Sequence, residues 1–425
     1  MSAQTTATPE QNAATLLERF TEVRRFSEDI AAPLSPEDSC IQSMPDVSPT
    51  RWHLAHTTWF FETFLLKPHG PYEVFDESFE YLFNSYYNTV GEQFPRHRRG
   101  LISRPGLQAT LDYRNHVDQR VRELISQDEL TKNERDILEI GLQHEQQHQE
   151  LMLTDIKHVL FCNPLWPAYQ TTPSVLDESK PHRLAWQHCE QQVTSIGYEG
   201  TGFHFDNEGP KHEVLIQDHE IASRCVTNGE YLEFVEDGGY HTPTLWLSMG
   251  WGTVQSEHWC HPLYWRQENG QWFEFTLQGR RELDLNTPLS HISYFEADAF
   301  ARWAGRRLPT EFEWEHQEAV SQYDAEDNFA DHLLNAKQLH PQSESTAFGN
   351  LLGNVWEWTA SPYIAYPGYQ ALDGALGEYN GKFMCNQFVL RGGSVATSST
   401  HIRATYRNFF PPEARWQFSG IRLAK

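Results

Sequence analysis

Residues 144–148 read His144-Glu145-Gln146-Gln147-His148, and the reading of this stretch decides what the chain around it is for. It lies inside a long amphipathic helical pattern. Positions i and i+4 share one helix face a turn apart, so the two imidazoles can converge on one ion. The helix is predicted to start at Thr131, with Glu134 completing a capping box. It is predicted to stop near Asn163-Pro164, since proline cannot continue it. Its apolar face is read as Ile137, Ile140, His144, His148 and Leu151, the stripe that faces other helices. Two core histidines hydrogen-bonded to neighbours are the plainer alternative. For an i,i+4 pair in a buried stripe, metal binding is favoured.

The same five residues also fit H-E-x-x-H, the zinc-hydrolase pattern. There Glu145 would act as general base, with a third ligand downstream. Short motifs of this kind often match by chance, so the surroundings must decide.

A chain of 425 residues suggests two or three domains, and 39% hydrophobic and 21% charged residues describe a globular protein. No apolar run is long enough to span a bilayer. Residues 1–10, MSAQTTATPE, lack the basic and apolar regions of a signal peptide and read as a disordered tail. A formal charge of -25 argues against nucleic acid and against anionic membranes as partners; its plain role is solubility. Six scattered cysteines without a C-x-x-C pair fit a reducing cytoplasm. A homo-oligomer is compatible with all of this and is not specified by it.

The expected fold is α+β in two domains. Residues 11–165 read as a helical bundle. A first helix carries Leu16, Phe20, Val23 and Ile30. A second has Ser48 as N-cap and Pro49 at its first position, with Trp52, His56, Trp59 and Thr63 on one face, and ends by Pro68-His69-Gly70. A third follows Pro105-Gly106, with Leu107, Leu111, Val117, Val121 and Leu124 inward. The fourth holds the histidine pair. Four-helix bundles build metal sites from facing side chains. The long segment 71–105 is rich in aromatics and arginine, which argues for order and for function. Residues 166–190 read as a linker. Residues 191–425 alternate short strand-like runs with turns, an irregular domain with little regular structure. Ten of the 14 Trp lie beyond residue 240, as core packing or as a ligand-pocket lining.

The second domain resembles the formylglycine-generating-enzyme/sulfatase-modifying fold, a variant of the C-type lectin-like fold. The resemblance rests on Val226-Thr227-Asn228, the run Gly305–Glu315 (GRRLPTEFEWE), Gly353–Trp358 (GNVWEW), Leu390–Ser394 (LRGGS) and Gly420–Leu423 (GIRL), in that order. The first domain resembles a DinB-like bundle through Trp52–Trp59 (WHLAHTTW) and the HEQQH helix. Together, over nearly the whole chain, they resemble the EgtB family of ergothioneine-biosynthesis sulfoxide synthases.

That resemblance implies a non-haem iron(II) enzyme using O2 to join a thiol sulfur to the imidazole of Nα-trimethylhistidine (hercynine). It implies His56, His144 and His148 as the metal ligands, with His53 one turn earlier as the rival for the first. Imidazole suits iron(II), and three neutral ligands leave the ion its full double charge, which favours a thiolate. Tyr86 and Tyr87 resemble an active-site tyrosine pair that could donate a proton or hydrogen bond during the oxygen chemistry; without the family they read equally well as loop packing. Arg96 and Arg99 match arginines that hold the thiol substrate's carboxylate in a bidentate fork; otherwise they are a solvated basic turn. Gln147 resembles a contact to the hercynine imidazole. Asn408, Phe409, Phe410 and Trp416 are expected in the hercynine pocket, where aromatic faces attract a quaternary ammonium. Cysteine and γ-glutamylcysteine both present a carboxylate to the arginines, and the loop tyrosine pair favours cysteine.

Two departures narrow this. Cys385 stands alone near the end of the second domain, which argues against formylglycine-generating activity. No glycine-rich fingerprint follows a strand, so trimethylation is expected elsewhere. A zinc hydrolase and a non-catalytic scaffold are the alternatives. The hydrolase reading explains neither the stretch Asn84–Asn88 (NSYYN) nor the second domain, and the joint presence of His56, His144, His148, Tyr87, Arg96 and Arg99 argues against a decayed scaffold.

Overall fold

A computed structural model of the chain describes residues 9–171, 180–320, 328–343 and 351–425. Most of the expected tail, and linker residues 172–179, lie outside the described residues. The chain divides into two compact units, Met1–Cys162 and Asn163–Lys425.

The first unit is built on α1 (Pro9–Ala31), α2 (Thr50–Phe61), α3 (Leu107–Ser126) and α4 (Lys132–Cys162). Helices α1 and α2 each pack against both α3 and α4. Phe20, Val23 and Ile30 of α1 and Val117, Val121 and Leu124 of α3 are buried as expected, while Leu16, Leu107 and Leu111 are only half-buried. The capping box at α4 is present: the Thr131 N–H and hydroxyl both donate to Glu134 Oε2, at 2.8 and 2.7 Å.

Three local expectations need correction. Ser48 does not cap α2. Pro49 occupies the cap position with no side-chain cap, because Ser48 is engaged elsewhere: its N–H donates to Asp155 and its hydroxyl accepts from Arg99. Helix α2 does not bury one face only; all twelve of its residues are buried, since it is the central element of the unit. The buried stripe of α4 is also rotated. Ile137, Ile140 and Leu151 are half-buried, whereas Leu138, Leu142, Glu145, Gln149 and Met152 join His144 and His148 inside. A strip that mixes histidine, glutamate and glutamine with leucine has a weak apolar signal, so counting apolar residues alone misplaced it.

Helix α2 continues through a π-helical turn, Glu62–Leu66, and ends at Lys67–His69. Such turns mark local departures from α geometry. Here the turn presents the buried Glu62 carboxylate to Tyr72 Oη (2.8 Å), the Phe75 N–H (3.2 Å) and Tyr113 Oη (2.6 Å). Glu62 thereby ties the start of segment 71–105 to α2 and α3. That segment is ordered, with helical turns at Phe79–Phe83 and Arg96–Leu101.

The second unit mixes helix and sheet. Strands β1 (Trp186–Cys189) and β4 (His219–Ala222) pair antiparallel, as do β2 (Gln192–Ile196) and β3 (His212–Ile216). Strands β5 (Trp265–Glu268), β6 (Gln271–Thr276) and β7 (Gly279–Glu282) form a meander. The largest described sheet runs β10 (Asn408–Phe410), β9 (Phe388–Arg391), β8 (Trp356–Pro362), β11 (Ser419–Gly420), with β11 parallel to β8. The sequence motifs meet in its core. Buried Glu357 accepts from Trp314 Nε1 (2.7 Å), Arg422 Nη2 (2.7 Å) and Cys225 Sγ (3.2 Å). Arg407 forks onto Glu311 at 2.8 and 3.0 Å. These groups are consumed by ion pairs that hold irregular backbone together.

Candidate metal centre

Helices α2 and α4 pack together and bring His56, His144 and His148 to one point. One ligand atom from each lies within 4.8 Å of the others, and all three residues are buried. The His56 and His144 Nε2 atoms are 3.2 Å apart, a separation that two nitrogens reach on one ion at about 2.1 Å from each. His56 is oriented from both sides. Its Nδ1 donates to the Phe83 carbonyl at 2.6 Å, which leaves Nε2 as the bare nitrogen. Its ring lies parallel to both Trp52 and Trp59, at 4.6 and 5.6 Å between centroids.

The electrostatics keep these imidazoles neutral. Burial, followed by repulsion from neighbouring histidines, holds His56 and His148 well below the usual histidine range. Burial likewise lowers His144 to about 3. Three neutral imidazoles whose nitrogens converge fit a divalent transition metal, for which imidazole is a common ligand.

His53, the rival ligand, does something else. Its Nε2 contacts Asp155 Oδ2 at 3.1 Å and its Nδ1 contacts His148 Nδ1 at 2.7 Å. Asp155 lies two turns beyond His148 on the same face of α4. The sequence reading missed it, although a carboxylate seven residues after a ligand histidine was the signal that could have found it.

Glu145 points away from a hydrolytic role. It is fully buried, with Oε1 accepting from Arg114 and Ser27 (both 2.6 Å) and Oε2 from Arg24 (2.7 Å). Burial would raise its pKa, but the charges of Arg114 and Arg24 overcome this and lower it to about 2. A general base must reach water and accept a proton, and this carboxylate does neither.

Tyr87 is buried and packs on Trp59 and Phe64, with centroids 5.7 and 5.1 Å apart. Asn84 fixes its backbone, accepting from the Tyr87 N–H (3.1 Å) and donating to its carbonyl (3.0 Å). Tyr86 is half-buried with its ring 4.7 Å from that of Tyr87. Arg99 is 3% exposed. It lies 3.4 Å over the Trp52 ring and donates to the hydroxyls of Ser48 and Ser85 at 2.9 and 3.0 Å. Among the described residues it forms no ion pair, and burial, then the charge of Arg96, push its pKa well down. Arg96 itself is exposed and donates to the Asp46 carbonyl. Gln147 is half-buried beside His148 on α4.

The remaining expected residues belong to the second unit. Phe409 and Phe410, neighbours on β10, face opposite ways. Phe409 stacks on Tyr363 at 4.1 Å, whereas Phe410 meets Trp416 edge-on at 5.5 Å. Asn408 Oδ1 accepts from the Phe409 N–H. Phe410 and Trp416 are thus brought together and Phe409 is not. No described helix is long and apolar enough to cross a membrane.

Comparison with known proteins sharpens this. Residues 19–152 match the DinB superfamily, and residues 187–425 match the sulfatase-modifying factor enzyme 1-like domain. A hercynine oxygenase of Mycobacterium tuberculosis is 32% identical over 304 residues, covering 67% of this chain and 70% of that protein. One from Mycolicibacterium thermoresistibile is 29% identical over 423 residues, 89% of this chain and 88% of its own length. Ergothioneine biosynthesis protein 1 of Schizosaccharomyces pombe is 27% identical over 340 residues, 70% of this chain and 40% of that protein.

Proposed function

The chain belongs to the EgtB-type hercynine oxygenase family, and from that premise we propose that it is an iron(II)- and O2-dependent sulfoxide synthase of ergothioneine biosynthesis. It joins the sulfur of cysteine, or of γ-glutamylcysteine, to the imidazole of hercynine. The observation that carries this reading is the convergence of His56, His144 and His148. The scaffold is read as a DinB-like four-helix bundle followed by a C-type-lectin-like domain.

The reaction balances with O2 alone. A thiol S–H and an imidazole C–H are lost, and a C–S bond and an S=O bond form. These are two two-electron oxidations, matched by reducing O2 to the sulfoxide oxygen and one water. Iron(II), held by the three histidines, would supply O2 activation and a site for the thiolate. The chain's own groups do the rest. Arg99 is buried and donates its hydrogen bonds to two serine hydroxyls, with the Asp155 carboxylate acting on it only through space, and a substrate carboxylate would complete it; Arg96 stands nearby at the surface. Tyr87 would hold or deliver a proton at its phenol oxygen, with Tyr86 stacked beside it. Gln147 would contact the hercynine imidazole. In the second unit the Phe410–Trp416 pair offers aromatic faces to a trimethylammonium group, with Asn408 and Phe409 on the same strand.

The test is anaerobic reconstitution with iron(II), then aerobic incubation with hercynine and each thiol, followed by mass spectrometry. A hercynyl sulfoxide establishes the reaction, and the preferred thiol names the branch. Tight zinc binding with neither adduct nor thiol oxidation would refute the reading.

A further inference from the structure

We propose that Asp155 and His53 are positioning residues that fix His148 in the tautomer presenting Nε2 to the metal. The inference rests on His148 being a ligand. His53 and Asp155 are 2% and 3% exposed, so their polar atoms must be satisfied inside the unit.

The proton positions follow from donors and acceptors. Asp155 Oδ2 is an acceptor, since it takes the Ser48 N–H at 2.8 Å, and it contacts His53 Nε2 at 3.1 Å. His53 therefore carries its proton on Nε2. A neutral imidazole has one N–H, so His53 Nδ1 is bare. The 2.7 Å contact between His53 Nδ1 and His148 Nδ1 needs one proton, and it can only come from His148. His148 Nδ1–H is then the donor, and its Nε2 keeps the lone pair a metal requires. His56 reaches the same state through the Phe83 carbonyl. Ligand histidines commonly donate their second nitrogen to a carboxylate or carbonyl; here another histidine is interposed.

The relay is tested with Co(II) as the metal probe on the metal-free full chain, reading affinity by chelator competition and geometry by the visible spectrum. Asp155→Asn keeps the shape but removes the anion that holds the His53 proton. Affinity should fall about 10- to 100-fold, with the metal-free melting temperature held. His53→Gly should weaken binding similarly. Added imidazole should restore it relative to the wild type in the same imidazole, which a merely structural role would not allow. The double variant should bind no more weakly than the weaker single. Asp155→Asn binding within twofold of the wild type overturns the proposal, as does a folded His53→Gly that imidazole does not restore. If His53→Gly does not fold, Asp155→Asn decides alone. Equal Co(II) binding by the wild type and His144→Ala would instead sink the metal site itself, a separate result.

Discussion

His56 and His144 face each other Nε2 to Nε2 at 3.2 Å across the α2–α4 contact. Since His56 gives its proton to Phe83, its Nε2 is an acceptor aimed at a second imidazole in a buried site. An ion shared with His148 satisfies all three rings. The wild type should therefore hold one iron(II) per chain after anaerobic loading and desalting. His144→Ala or His56→Ala should lower affinity by at least about 100-fold, since losing a ligand costs no less than losing a group behind it. Sulfoxide formation should vanish with the metal and return in the wild type when iron(II) is restored after chelation. A His144→Ala variant with full metal content and activity would refute the assignment.

Glu145 makes the opposite kind of prediction, about stability. It neutralises Arg24 and Arg114 in a site closed to solvent. Glu145→Gln leaves Arg24 with Asp118 and Arg114 with the partly exposed Glu28 as their remaining carboxylates, so it should cost about 3 kcal/mol of unfolding free energy, the lower end for a broken buried pair, read from urea denaturation. The pH dependence has a definite sign. The folded pKa, about 2, lies below the ordinary glutamate value of 4.5, so the unfolded chain binds the extra proton. This contribution is present above about pH 4.5 and is lost as pH falls toward 2. The wild type should lose more stability than Glu145→Gln across that window.

Much of the candidate site's geometry was legible because ligand spacing and helix geometry are local. His144 and His148 sit one turn apart, and the segment holding Tyr87 and Arg99 stood out by length and composition. What escaped was tertiary. Glu145 looked like half of a hydrolase motif because the sequence does not say that Arg24 and Arg114, 121 and 31 positions away, converge on it. Ser48 looked like a helix cap because its competing partners, Asp155 and Arg99, come from other elements. Phe409 and Phe410 could not be ranked until the strand fixed which one meets Trp416.

Under the proposed function, Arg99 should separate the two substrates. Its guanidinium is packed on Trp52 and held by two serine hydroxyls, so it is set for a planar anion before one arrives. Arg99→Ala should raise KM for the thiol about 10- to 100-fold, the loss of a charge-assisted hydrogen-bonded pair, with KM for hercynine changing little. Arg99→Lys should recover only part, since a point charge does not reproduce the fork. Steady-state kinetics with each substrate varied in turn checks this. A larger effect on hercynine would refute the pocket assignment.

Under the proposed function, Tyr87 should govern the product rather than the binding. Its backbone is clamped by Asn84 and its ring is wedged between Trp59 and Phe64, so its phenol has little freedom. A positioned proton donor is worth about 100- to 10,000-fold in rate. Tyr87→Phe keeps the packing and removes only the hydroxyl. Sulfoxide formation should fall by about 100-fold or more while metal content and both KM values stay near wild type. Oxygen consumption should persist, with the thiol diverted to its sulfinic acid, because O2 chemistry continues without the proton that steers it to C–S bond formation. Mass spectrometry of sulfoxide against sulfinate, in the same reaction, reads the branching ratio. Tyr86→Phe, on the half-buried ring beside it, should change that ratio less. An unchanged ratio in Tyr87→Phe would remove this residue from the chemistry and leave it as packing.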